Sequence, residues 1–106
     1  LGTVNDRRYA QGLARTYMEV RKYGYYRAYQ QMRQKGLTKP IIEEALEEYS
    51  EGTYERLYEL VERKYLRYLD GEKGDIKVKN ALVRLGYSYD IIKEVLADIK
   101  QEYGDE

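Results

Sequence analysis

The sequence predicts an all-α protein: two tandem three-helix repeats in an elongated, curved arrangement. Three observations carry the expectation. Apolar residues recur at helical spacing between glycines set at intervals, at Gly24, Gly36, Gly52, Gly71, Gly74, Gly86 and Gly104. No segment sustains the alternation of a strand. One stretch of the chain repeats after a shift of fifty positions.

Each element follows from its own residues. Asn5 or Asp6 is placed to cap a first helix with Tyr9, Ala10, Leu13, Tyr17 and Val20 on its inner face. Gly24 ends it, as a residue tolerant of positive φ. A shorter helix runs from about Tyr25 to Lys35, with Ala28 and Met32 inward and Gly36 at its end. Thr38 caps a third helix, and Pro40 fits its first turn, where a missing N–H costs nothing. Ile41, Ile42, Ala45, Leu46 and Tyr49 form its apolar stripe. Thr53 caps a fourth, with a wide apolar face of Leu57, Tyr58, Leu60, Val61, Tyr65, Tyr68 and Leu69. Gly71-Glu72-Lys73-Gly74 reads as a loop. A fifth helix starts near Asp75 and carries Val78, Ala81, Leu82 and Leu85. A sixth starts at Ser88 and carries Ile91, Ile92, Val95, Leu96 and Ile99.

In the repeat, Gly36-Leu37-Thr38-Lys39-Pro40-Ile41-Ile42-Glu43-Glu44-Ala45-Leu46 lies over Gly86-Tyr87-Ser88-Tyr89-Asp90-Ile91-Ile92-Lys93-Glu94-Val95-Leu96. The glycine, the Ile pair, one Glu and the Leu are identical, and Met32 lies over Leu82. The unit is a long helix, a short one, and a third opened by Gly-x-Thr/Ser. Residues 1–50 hold one copy and residues 51–106 the other. Helical units of this period stack, each burying a face against its neighbour.

Composition narrows the chemistry. The 106 residues suit a modest core. His and Cys are absent, which excludes imidazole acid–base chemistry, His or Cys metal ligands, thiol nucleophiles and disulfides. The fourteen tyrosines are the only aromatics. No run approaches the roughly 18 apolar residues of a membrane span, and Leu1-Gly2-Thr3-Val4 does not open a signal peptide. The chain is expected to be soluble, cytoplasmic and monomeric, without cofactor. Lacking an initiator Met, it reads as a fragment or a processed product.

The net charge is zero, with 19 Lys+Arg against 19 Asp+Glu, but it is unevenly spread. Residues 1–40 hold nine cations against two acids, residues 41–72 four against ten, and residues 73–106 six against seven. Such polarity can mark a face for an anionic partner. The plainer reading is that the basic and acidic segments neutralise each other within the fold.

The candidate contact surface is Arg7, Arg8, Arg15, Arg21, Lys22, Arg27, Arg33 and Lys35. Such a set suits acidic protein or DNA phosphate. Tyr9, Tyr17, Tyr23, Tyr25, Tyr26 and Tyr29 lie among these cations. Tyr23, Tyr25 and Tyr26 cannot all point inward from one turn, so Tyr25 or Tyr26 is the preferred exposed contact. Glu43, Glu44, Glu47, Glu48 and Glu51 lack the Gly-turned loop that converges carboxylates on a metal ion and read as a solvated helix face. No glycine set forms a phosphate loop.

The order of motifs resembles the RecX family, bacterial regulatory proteins that bind the RecA recombinase. The matching residues are Asn5-Asp6-Arg7-Arg8-Tyr9-Ala10, Tyr17, Arg21-Lys22-Tyr23-Gly24, Met32-Arg33-Gln34-Lys35-Gly36, Ile42 and Ala45-Leu46-Glu47-Glu48. Downstream, Gly86-Tyr87-Ser88-Tyr89-Asp90-x-Ile92 is similar to the family's closing signature. Asn5 stands where Asp is usual, Tyr25 where Pro is frequent and Ala28 where Ile is found. The resemblance spans residues 4–100 and implies the second and third of three three-helix repeats, with the first upstream of Leu1. It also implies a non-enzymatic protein that docks along the groove of the RecA–DNA filament. There it would suppress ATP hydrolysis, filament growth and strand exchange; some members also bind DNA weakly. The alternative is a direct nucleic-acid-binding module, since short helices joined by Gly turns also resemble helix-turn-helix units.

Overall fold

The computed structural model describes residues 4–70 and 73–103. Helix α1 (Val4–Arg15) continues into a π turn, Thr16–Val20; α2 (Tyr25–Gln34) and α3 (Lys39–Glu47) follow. Helix α4 (Thr53–Leu60) continues into a second π turn, Val61–Tyr65, and a 3₁₀ turn, Leu66–Asp70; α5 (Gly74–Leu85) and α6 (Tyr89–Tyr103) close the order. No strand occurs among the described residues. The chain divides between Glu51 and Gly52 into two compact units.

Each unit folds around its own core. In the first, Ala10, Ala14, Tyr17 and Met18 of the long helix meet Ala28 and Met32 of α2, and Ile42 and Leu46 of α3. Ala10 and Ala14 have almost no side chain to hold the helices apart, so α1 packs closely on α3. In the second, Leu57, Leu60 and Val61 meet Val78 and Leu82 of α5 and the Ile92, Val95, Leu96 and Ile99 stripe of α6. The apolar stripes of α3 and α6 are therefore core, as their spacing predicts.

The repeat is visible bond by bond. Gly36 and Gly86 both take the left-handed conformation, with φ of 92° and 105°. The Gly36 N–H donates to Arg33 and that of Gly86 to Val83, each at 2.9 Å. The Leu37 N–H reaches Met32 at 3.3 Å and that of Tyr87 reaches Leu82 at 3.2 Å. The Ile42 N–H reaches Thr38 at 3.0 Å and that of Ile92 reaches Ser88 at 3.1 Å. These bonds satisfy carbonyls at one helix end and amides at the next start, which fixes the turn between the paired helices.

Several local expectations are corrected. Asn5 and Asp6 do not cap α1; both lie inside its first turn, because the helix already begins at Val4. Tyr9 and Val20 are 49% and 72% exposed, while Ala14 and Met18 are buried in their stead. The π turn inserts an extra residue into the helix, so Val20 falls out of phase with the apolar stripe. Gly24 does not supply a positive φ: its φ is −83°, and it leads into α2. The helix has already ended at Arg21, whose N–H bonds Thr16 five residues back, and Lys22 makes the left-handed turn with φ of 60°. Thr38 stands at the start of α3, but its hydroxyl makes no capping bond. Gly52, with φ of 83°, occupies the cap of α4 in place of Thr53. Tyr68 is 51% exposed, because the 3₁₀ turn breaks the α-helical phase there. Of the expected loop, Gly71 and Glu72 lie outside the described residues, while Gly74 belongs to α5.

Candidate partner-binding surface

The fold separates the basic set into groups with different tasks. Arg7 faces α3 and pairs with Glu44 at 3.5 Å, both side chains remaining more than half exposed. Arg33 donates from its guanidinium to the Leu37 carbonyl at 3.3 Å, closing the end of its own helix. Lys22 is half-buried and carries the backbone reversal after the first π turn. Arg8, Arg15, Arg21 and Lys35 are exposed. Arg8 and Arg15 lie two helical turns apart and share a face of α1.

Around the start of α2 the tyrosines sort into two clusters. Tyr23 stacks on buried Tyr17, with ring centroids 5.5 Å apart. The Arg27 guanidinium lies over the other cluster member, Tyr23, 4.7 Å from the ring centroid. A hydrogen bond from Arg27 lowers the Tyr23 pKa from its ordinary value; partial desolvation opposes this, and Arg21 adds to the lowering. Arg21 and Arg27 thus converge on one half-buried ring.

The second cluster is Tyr25, Tyr26 and Tyr29. Tyr25 stacks on Tyr29 and meets Tyr26 edge-on, each pair 6.0 Å apart. Tyr25 is 40% exposed and Tyr26 62%. Desolvation raises the Tyr25 pKa, and the nearby Glu43 carboxylate adds to the effect. The exposed Tyr25 ring therefore lies near an acid of α3. Sequence order hides this, since Glu43 and Glu44 are far from Tyr25 and Arg7 along the chain.

One exposed cluster lies outside the predicted set. Tyr89, at the start of α6, has the Lys79 and Lys93 ammonium groups 5.8 and 5.1 Å from its ring centroid. Lys93 lies one turn along α6 from Tyr89, while Lys79 is brought in by the contact between α5 and α6, so charge by segment does not reveal the cluster. Among the described residues, no group of three or more carboxylates is arranged to hold a metal ion. No helix there is long and apolar enough to cross a membrane.

The arrangement of helices agrees with comparison to known proteins. Residues 5–46 match the family described as RecX, second three-helix domain, and residues 51–96 match RecX, third three-helix domain. The regulatory protein RecX of Clostridioides difficile (strain 630) is 34% identical over 96 residues, 88% of this chain and 45% of that protein. That of Bacillus thuringiensis (strain Al Hakam) is 34% identical over 106 residues, 97% of this chain and 39% of that protein. The chain thus spans less than half the length of either relative. The crystal structure of RecX from Lactobacillus salivarius superposes with a TM-score of 0.78 at 29% identity, covering 92% of this chain and 66% of that one. Two consecutive domain matches, in order and on the two units the fold itself separates, place the chain in the RecX family, where it carries the second and third three-helix domains.

Proposed function

We propose that the chain is part of a non-enzymatic, cytoplasmic inhibitor of the RecA recombinase, which docks in the groove of the recombinase–DNA filament and modulates recombination and DNA repair. The observation that carries this reading is the pair of domain matches, together with relatives named regulatory proteins. The proposed contacts are the exposed cations Arg8, Arg15, Arg21 and Lys35, together with the exposed rings of Tyr25 and Tyr26. Arg7, Lys22, Arg27 and Arg33 complete the proposed contact set; Arg7, Arg27 and Arg33 also make contacts within the first unit.

The mechanism is differential binding. A ligand that prefers one filament geometry resists the changes that ATP turnover and strand exchange require, in proportion to its preference. Reversing Arg8, Arg15, Arg21 and Lys35 to Glu should abolish filament binding and relieve inhibition of recombinase ATPase. The fold should survive, because exposed charges contribute little to stability. A folded quadruple variant that inhibits as well as the parent would remove the basic face from the mechanism.

Direct nucleic-acid binding is the second reading, favoured by the exposed ring of Tyr26 on the helix that also carries Arg27 and Arg33. It requires affinity for naked DNA with a steep salt dependence. The Glu43 carboxylate beside Tyr25 argues against a phosphate-tracking surface there and favours a protein partner.

A further inference from the structure

The second unit carries a groove of about 640 Å³ between its π and 3₁₀ turns and the end of α6. Two features outside the shared repeat build it. The π turns begin at Thr16 and Val61, 45 positions apart, whereas the turn glycines Gly36 and Gly86 are 50 apart. The five-residue 3₁₀ turn Leu66–Asp70 fills the difference. Helix α6 is also longer than α3, 15 residues against 9. Its last turns supply Ile99, Lys100 and Tyr103 to the groove wall. The fold of the first unit needs neither feature.

The lining is amphipathic. Half-buried Leu66 and Leu69 form the floor with Ile99. Exposed Arg63, Lys64, Arg67 and Lys100 stand around it, with Glu62 the one acid among the described residues of the lining. Glu62 accepts a hydrogen bond from the Tyr103 hydroxyl. Arg63 pairs with Glu59 at 2.9 Å, and Lys100 with Asp75. Exposed pairs of this kind are weak enough to exchange for a ligand carboxylate.

We propose that this groove docks an acidic amphipathic peptide segment of a partner protein. Large apolar side chains of the segment would cover Leu66 and Leu69, and its carboxylates would meet Arg63, Lys64 and Arg67. The volume falls within the roughly 300–1,000 Å³ typical of ligand sites. Arg and Tyr around an apolar centre are also the residue types that anchor protein interfaces. Nucleic acid fits less well: the floor is aliphatic, the Tyr103 ring of the wall is tied by its hydroxyl to Glu62, and that carboxylate repels a continuous run of phosphates. A peptide can place a hydroxyl or amide at that point. The proposal does not depend on recombinase binding, and its test uses no recombinase.

The probe is a fluorescein-labelled peptide, Glu-Leu-Asp-Glu-Leu-Phe-Asp-Glu-Leu, titrated into the full chain by fluorescence anisotropy and by amide NMR. Amide shifts should gather at Leu66, Leu69, Ile99 and Tyr103. Replacing the peptide's acids by their amides, or its apolar residues by Ser, should weaken binding roughly tenfold or more. The double change Arg63→Glu and Arg67→Glu, at exposed positions, should weaken it by about as much. Failure of the peptide to bind, shifts centred elsewhere, equal binding of the neutral peptide, or displacement from these residues by oligothymidine would each overturn the proposal. So would self-association of the chain through the same residues.

Discussion

Ile42 and Ile92 are fully buried at equivalent positions in α3 and α6. Truncating either to Ala should cost about 2–5 kcal/mol in urea unfolding, as for buried aliphatics generally. A loss below about 0.5 kcal/mol at both would place them in the range of surface changes. Gly86, with φ of 105°, sets the turn between α5 and α6. Gly86→Ala should cost about 1–2 kcal/mol from the left-handed conformation alone. Tyr49 gives a test by pH. Its hydroxyl donates to Glu19 at 2.7 Å; burial, then that carboxylate, push its pKa up to about 12. The folded state thus holds the proton more tightly than the unfolded chain. The resulting stability is complete below pH 10, the ordinary value, and is lost as pH rises toward about 12. The urea midpoint should fall between pH 9 and pH 11, and Tyr49→Phe should lessen the fall. An undiminished fall in that variant would assign the effect to other tyrosines. The isoleucines were legible from their spacing; the left-handed Lys22 was not, because Gly24 two residues later is the usual occupant of such a turn.

At the scale of elements, the helix pairs α2–α3 and α5–α6 were legible because a positive-φ glycine and an apolar stripe mark each one. The π turns were not, since no residue type announces one extra residue in a helix. That omission accounts for placing Val20 inward. Glycines separate two kinds of backbone demand. A Cβ on Gly74 would stand 1.8 Å from the Tyr68 carbonyl oxygen, so α5 lies against the 3₁₀ turn only because that atom is missing. Gly74→Ala should destabilise the second unit by about 1–3 kcal/mol, the usual cost of overpacking. Gly12, inside α1, has nothing within 4 Å of its Cβ position. Gly12→Ala should stabilise by roughly 0.5–1 kcal/mol, the helix preference of Ala. Thermal unfolding of the two variants checks both, and equal shifts of the same sign would contradict the packing described for Gly74.

For the whole molecule, charge by segment shows an uneven distribution but not which charges pair within the fold. The basic first forty residues and the acidic stretch after them meet inside the first unit, where Arg7 pairs with Glu44 and Glu43 lies beside Tyr25. Arg8, Arg15, Arg21 and Lys35 are exposed, as are Arg7, Arg33 and Lys39. The groove of the second unit escaped the sequence because its cations come from two segments joined only by the packing of α6. Membership of the RecX family was legible in the order of motifs from Asn5 to Ile92, and both domain matches bear it out. The reading as a recombinase regulator is most directly tested by co-sedimentation of the chain, and of a version extended by an upstream domain, with RecA filaments on single-stranded DNA and with DNA alone. The chain should pellet with the filament and stay in solution with naked DNA. Equal pelleting with DNA alone, or no pelleting of either version with the filament, would contradict it.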